Sequence, residues 1–417
     1  MAERETAQAW ITVVVLMIVA TLNFVDRQIL SVLVEPIRAD LHFSDSQFGL
    51  LTGLAFSLFY AMFGIPVAML ADRVSRVKVV AVACAVWSLF TALTGFTRTF
   101  AAMAAVRFGI GVGEAGGTAP SLSLLADRIP PERRAFVFGL YNTNGPIGVF
   151  AGAAFGGWAA GTIGWQRAFM VLGVIGLVMA PMLLLLVREP RRGHYDGAAA
   201  AAAPLFRVTL ANMARDPAMR LLCIASGLSS FVSYGMLNWI PAYLMRVQHM
   251  PIAAVATWFA PAAGLTMGTG MVAGGWLVSR TIHKSPRGYA LVPAFATALL
   301  VPLFAAALFV DGWALSLALM LVPMTCCIVF VPPSLVLVQQ LGPPSARATT
   351  TAALLLMYNI VGLGLGPLMV GALSDLLHPA LGIESLRFAL VGLLAVGVVA
   401  MLAQLALARR LERLALV

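Results

Sequence analysis

Arg107-Phe108-Gly109-Ile110-Gly111-Val112-Gly113-Glu114-Ala115-Gly116-Gly117-Thr118-Ala119-Pro120 puts two full charges inside an apolar run too long for a soluble core helix. On an α-helix the spacing of Arg107 and Glu114 is about 10 Å of rise, so both point to nearly the same side. Gly109, Gly111, Gly113, Gly116 and Gly117 leave the helix thin, so that a neighbouring backbone can approach closely. A charge in hydrocarbon costs at least about 2.5 kcal/mol even on lenient insertion scales. Both side chains are therefore expected to face a partner or a wet cavity. A thin, charged helix among apolar helices points to a transport pathway.

The rest of the chain agrees. Of its 417 residues, 61% are hydrophobic and 11% charged, with a mean hydropathy of +0.93. Soluble domains run near a quarter charged, so this is a polytopic membrane protein. A net charge of +10 would suggest nucleic acid in a soluble protein; here it reads as Lys and Arg in cytoplasmic loops, and no nucleic-acid partner is expected. Cys84, Cys223, Cys326 and Cys327 fall in apolar runs without metal-ligand spacing and read as small core residues. Residues 1–9 are short and polar, and the first apolar run is long enough to remain as a span, so no cleavable signal peptide is expected.

A span needs about 20 residues. Twelve segments qualify, near 10–34, 47–71, 78–97, 100–126, 135–161, 167–187, 219–245, 252–278, 288–310, 312–338, 347–374 and 387–408. They are continuous apolar runs, which favours helices over a barrel. The fold class is an all-α membrane protein of two six-helix bundles: residues 1–188, a low-complexity linker at 189–218 with six alanines at 198–203, and residues 219–417. A short surface helix is expected near 204–216. Most of the 27 basic residues fall in one set of loops, among them Arg73, Arg76, Lys78, Arg133, Arg134, Arg191, Arg192, Arg280 and Arg287. That asymmetry puts both termini in the cytoplasm.

The halves repeat weakly. Asp72-Arg73 with Arg76 and Lys78 has a counterpart in Ser279-Arg280 with Lys284 and Arg287. Pro130-Pro131-Glu132-Arg133-Arg134-Ala135 recurs as Pro343-Pro344-Ser345-Ala346-Arg347-Ala348, and Tyr141-Asn142 as Tyr358-Asn359. Their shared order argues for two parallel repeats, an arrangement that places a substrate site between halves near the bilayer midplane.

These residues resemble the major facilitator superfamily over essentially the whole chain. Ala68-Met69-Leu70-Ala71-Asp72-Arg73-Val74-Ser75-Arg76-Val77-Lys78 is similar to that family's loop signature, with Ala68 and Ser75 in place of its glycines. The resemblance implies a cytoplasmic gate at Asp72, Arg73, Arg76 and Lys78, with a positive-inside loop as the plainer reading. Asn23-Phe24-Val25-Asp26-Arg27-Gln28, together with Arg107 and Gly113-Glu114-Ala115, resembles the Spinster-like group; anion–cation symporters carry similar stretches. The resemblance implies alternating access, with lysolipids or sphingoid phosphates as the substrate class, in the bacterial inner membrane.

At helical rise, Asp26 and Arg27 fall between Arg107 and Glu114 in depth. Two acids and two bases can then form two ion pairs. Glu114 and Asp26 are the candidates for proton coupling, with Arg27, Arg107 and Asn23 offered to an anionic head group. A static cluster fixing two helices is the competing reading. Tyr60 belongs to an aromatic stripe with Phe56, Phe59 and Phe63, which either lines a cavity or packs. Asn142, Tyr234, Asn238, Tyr358 and Asn359 complete the substrate candidates, with Thr325 beside them; for those of the second half, packing or interhelical hydrogen bonding is the favoured reading over substrate contact. No charge lies deep in a second-half span. A charged first half facing an apolar second half suits an amphiphile or an organic anion, with a sugar acid or uncoupled facilitation as alternatives.

No Gly-x-x-x-x-Gly-Lys phosphate loop is present. His42, His194, His249, His283 and His378 lack ligand spacing. Neither an ATP-driven pump nor an enzyme is expected, and no metal or cofactor. The expected partners are a small organic or lipid-like substrate, protons and the bilayer, with the chain acting as a monomer.

Overall fold

The structure, a computed structural model, describes residues 2–193, 195, 206–283, 285–342 and 347–415. The alanine run at 198–203, Lys284 and residues 343–346 lie outside the described residues. Those described form helices joined by short breaks, with no strand among them. Among the described residues nine stretches are long and apolar enough to cross a membrane; the last, Thr349–Arg413, runs two crossings together. Two more crossings are broken helix pairs, Phe100–Glu114 with Thr118–Arg128 and Pro131–Asn142 with Asn144–Thr162. Twelve crossings result, as the apolar runs predict.

Local signals set the helix ends. Thr99 caps Phe100–Glu114 by accepting the Ala102 N–H at 3.2 Å. Ser75, which replaces a glycine of the family signature, caps Arg76–Thr94 by accepting the Lys78 N–H. Ser44 and Gln47 form a reciprocal capping box before Asp45–Thr52. Each supplies an acceptor to an amide that the helix leaves unpaired. Residues 100–126 are apolar enough to be expected as one span. The helix instead stops at Glu114, and Ala115–Gly117 turn before Thr118–Arg128 begins. Paired glycines followed by Pro120 weaken a continuous helix there.

The chain packs into two compact units. One comprises Met1–Phe43, Ala55–Ala199 and Ile252–Gly264; the other comprises Ser44–Leu54, Ala200–Pro251 and Leu265–Val417. In the first unit, helix Ala2–Val32 lies against Asn144–Thr162 along Gly148, Gly152 and Gly156. A Cβ on Gly152 would stand 2.9 Å from both Gln28 Cβ and Val25 O. Segment Ile252–Gly264 joins this unit through Gly157 beside Ala256 and Gly264 beside Phe150.

In the second unit, helix Pro217–Arg246 buries Trp239 and Tyr243 completely. Their polar tips are satisfied: Trp239 Nε1 donates to Pro367 O at 2.9 Å and the Tyr243 hydroxyl to Leu308 O at 2.8 Å. Buried indole and phenol groups need such partners. Residues 44–54 belong here, with Gly49 against Pro367 O and Gly371 against Asp45 O. The second crossing breaks at Gly53, whose φ of −108° and ψ of −97° are not helical. The short surface helix expected near 204–216 is present as Phe206–Arg215.

Candidate functional site

In the first unit, Arg27 extends from helix Ala2–Val32 to Glu114, the last residue of Phe100–Glu114. Arg27 Nε donates to Glu114 Oε2 at 2.8 Å, and Nη2 lies 2.7 Å from the same oxygen. The Glu114 side chain is 0% exposed and that of Arg27 21%, so the base is the accessible partner. Arg27 also lies over aromatic faces, 4.6 Å from the Phe56 centroid and 5.1 Å from that of Tyr60. Phe56 and Tyr60 stack on each other, whereas Phe59 packs edge-on against Phe108. The aromatic stripe thus splits between the cation and plain packing.

Glycine brings Glu114 to this position. Gly111 passes 2.8 Å (as a virtual Cβ) from Phe56 O, and Gly113 sits 2.6 Å from Trp87 N, distances that no side chain tolerates.

Asp26 neighbours Arg27 in sequence but has a different partner. Its Oδ2 accepts the Thr91 hydroxyl at 2.9 Å, while Oδ1 is buried without a partner. Arg107 is buried, its guanidinium 5.8 Å from the Phe169 centroid, and its Nε and Nη2 have no hydrogen-bond partner. Glu114 Oε1 is likewise unpaired. Among the four charged residues the close ion pair is Arg27–Glu114, while Asp26 Oδ1, Glu114 Oε1 and the Arg107 Nε and Nη2 donors are buried without hydrogen-bond partners. Asn23 is half-buried on the same helix, and Asn142 is exposed.

A second cluster surrounds the loop after the second crossing. Arg76 is buried; Nη1 meets Asp127 Oδ2 at 2.5 Å and Nε meets Glu189 Oε1 at 2.8 Å. Glu189 Oε2 also accepts the Ser75 hydroxyl and the Val77 N–H. Arg192 donates to the carbonyls of Ala71, Asp72 and Val74, satisfying acceptors at the end of helix Leu54–Arg73. Asp72, Arg73 and Lys78 are exposed. Burial alone would push the Glu189 carboxyl up, but the Val77 N–H and the Arg76 and Ser75 bonds hold it below the usual glutamate range. Asp127 and Glu189 were missing from the sequence-derived candidates. Glu189 stands in a stretch whose charge reads as linker, and nothing local ties either acid to Arg76.

The second unit is more polar inside than its composition suggests. Gln404 Nε2 donates to Ser229 Oγ at 2.7 Å, and Thr297 Oγ1 approaches Gln404 Oε1 at 3.4 Å. A small cavity beside them is lined by Ser229, Thr297, Cys327 and Phe330. Tyr358 is buried, bonded to Ser334 and edge-on to Phe330; Asn238 and Asn359 bond to carbonyls one turn back in their own helices. Tyr234 is half-buried. Among the described residues no cluster of His, Cys, Asp and Glu could hold a metal.

Residues 16–367 match the Major Facilitator Superfamily, and the chain belongs to that family of membrane transporters. Its fold is similar to that of a solved bacterial homologue of the human lysosomal transporter Spinster, captured inward-facing and unoccupied. The TM-score is 0.89 at 26% identity, covering 97% of this chain and 98% of that one. An MFS-type efflux pump of Mycolicibacterium smegmatis is 32% identical over 93% of this chain and 90% of its own length. A hexuronate transporter of Bacillus subtilis is 27% identical over 61% of this chain and 62% of its own. The expected twelve-helix family fold is thereby established, and with it an integral membrane transporter.

Proposed function

We propose that this transporter couples proton movement to passage of an amphiphilic or anionic organic substrate by alternating access. The observation that carries the reading is the Arg27–Glu114 pair, a fully buried acid on a partly exposed, aromatic-flanked base. Ionised Glu114 holds Arg27. Protonation of Glu114 removes the attraction and frees the guanidinium for an anionic head group. Asp26 is the second proton-binding candidate. Arg107, buried beside Phe169, adds a second positive charge to the cluster, and Asn23, Tyr60, Asn142, Tyr234, Asn238, Tyr358 and Asn359 are proposed to line the substrate path. The chain works as a monomer of two six-helix bundles, 1–188 and 219–417, joined by 189–218. Both termini face the cytoplasm, and Asp72, Arg73, Arg76 and Lys78 gate that side.

The test is proton flux in liposomes holding the purified protein, with lysophospholipids, sphingoid phosphates and small organic anions added in turn. Substrate-dependent proton movement in wild type, abolished in Glu114→Gln while binding persists, supports the reading. PH-driven transport unchanged in Glu114→Gln sinks the coupling role. The similarity to a hexuronate transporter favours a second reading, a sugar-acid symporter. Uptake of labelled hexuronate, with no response to lysolipids, would select it.

A further inference from the structure

Helix Phe206–Arg215 buries Thr209 and Met213 against the second unit and turns its other side outward. On that outward side, Arg207 and Arg215 are exposed, and Val208 and Leu210 are 47% and 45% exposed. The helix thus presents cations and apolar side chains together. Met213 shares an apolar cluster with Leu407, Ala408 and Leu411 of helix Ser385–Ala415. At this end of the unit helix Phe206–Arg215 itself packs on Pro217–Arg246 and Arg347–Met357, and Arg409 and Arg413 are exposed on the tail of the last helix. Arg410 adds a buried Nε that finds no acceptor.

The nearby acids are already engaged. Asp216 Oδ1 accepts the Ala218 and Met219 N–H groups as the cap of helix Pro217–Arg246. Glu412 is paired with Arg287. Positive charge is left over at this end among the described residues.

We infer that helix Phe206–Arg215 seats an anionic phospholipid, its phosphate taken by Arg207 and Arg215, its acyl chains lying along Val208 and Leu210. A soluble anion would use the arginines but would gain nothing from two exposed aliphatic side chains beside them. Aliphatic and basic groups side by side suit the boundary between headgroups and acyl chains. This inference does not rest on the proposed transport reading.

The experiment uses the full chain purified in detergent and titrated with phosphatidylglycerol or with phosphatidylcholine of the same acyl chains. Bound lipid is counted by native mass spectrometry. Wild type is expected to prefer phosphatidylglycerol, and Arg207→Gln with Arg215→Gln to weaken its binding about 30-fold. Arg98→Gln with Arg167→Gln removes the same charge elsewhere and is expected to leave it unchanged. Val208→Ser with Leu210→Ser keeps the arginines and is expected to weaken both lipids. Equal binding of the two lipids by wild type overturns the inference, whatever the variants do. Displacement by free glycerol phosphate overturns it too, since that marks a soluble-anion site.

Discussion

Arg246 closes both arms of its guanidinium on the Asp45 carboxylate, Nη1 to Oδ2 at 2.6 Å and Nη2 to Oδ1 at 3.0 Å, across 201 residues of chain. Ser374 donates a further bond to Oδ2 at 2.6 Å, and the Asp375 carboxylate accepts the N–H groups of Asp45 and Ser46. The pair is nearly dry, its side chains 8% and 1% exposed. A buried pair costs desolvation, and removing one partner leaves the other charge stranded at about 3–5 kcal/mol. Asp45→Ala is therefore expected to lower the thermal unfolding temperature in detergent strongly, and Asp45→Leu with Arg246→Met to recover much of it. Equal loss in the single and double variants would show that the pair itself, rather than a stranded charge, holds residues 44–54 in place.

Glu189 predicts an acid limit. Its carboxyl is held below the usual range in the folded protein, against about 4.3 for an unfolded glutamate. A depressed folded value means that the contribution is complete above the unfolded value and disappears as pH falls through the folded one. Thermal stability of wild type is expected to drop below about pH 4.3, and Glu189→Gln to flatten that part of the profile at a lower plateau. An unchanged profile in Glu189→Gln would remove Glu189 as the titrating group.

Two glycines on neighbouring helices predict opposite signs. A Cβ at Gly152 meets Gln28 Cβ and Val25 O at 2.9 Å, whereas one at Gly139 meets nothing within 4 Å. Gly152→Ala is expected to destabilise by about 1–3 kcal/mol through overpacking. Gly139→Ala, inside helix Pro131–Asn142, is expected to stabilise by about 0.5–1 kcal/mol. Melting temperatures of the two variants check both signs at once.

Arg27→Ala separates recognition from architecture. With the cation gone, binding of anionic substrates is expected to weaken by at least about tenfold, near 1.4 kcal/mol, and that of neutral analogues much less. Binding titrations with matched anionic and neutral ligands give the comparison. Equal losses for both would make Arg27 a structural residue.

The crossings were legible because a membrane span is a matter of length and apolarity, both local properties. Helical rise brings Asp26, Arg27, Arg107 and Glu114 to similar depths and leaves Glu114 open to either Arg27 or Arg107; which arginine it takes depends on the packing of distant helices. What stayed hidden depends on distant contacts. Nothing near Asp45 announces Arg246, and nothing near Arg76 announces Asp127 or Glu189. Matching depth also allows two ion pairs, but the one hydrogen bond Asp26 accepts comes from Thr91 to Oδ2, its Oδ1 stays unpaired, and Arg107 forms no close pair with it. Gln404 leaves little trace in the sequence because a single amide scarcely alters an apolar run, yet it ties Ser229 and Thr297 together.

The stretch Glu189–Gly193 is fastened to its own unit at several points: Glu189 to Arg76, Arg192 to three carbonyls, and the Gly193 N–H to Asp127 Oδ1 at 3.1 Å. A stop codon placed just beyond Gly193 would keep every one of these ties within the upstream polypeptide. The coding sequence can thus be divided there, and two separately translated fragments are expected to reconstitute the transporter when made in the same cell. A division before Glu189 would hand those ties to the wrong fragment.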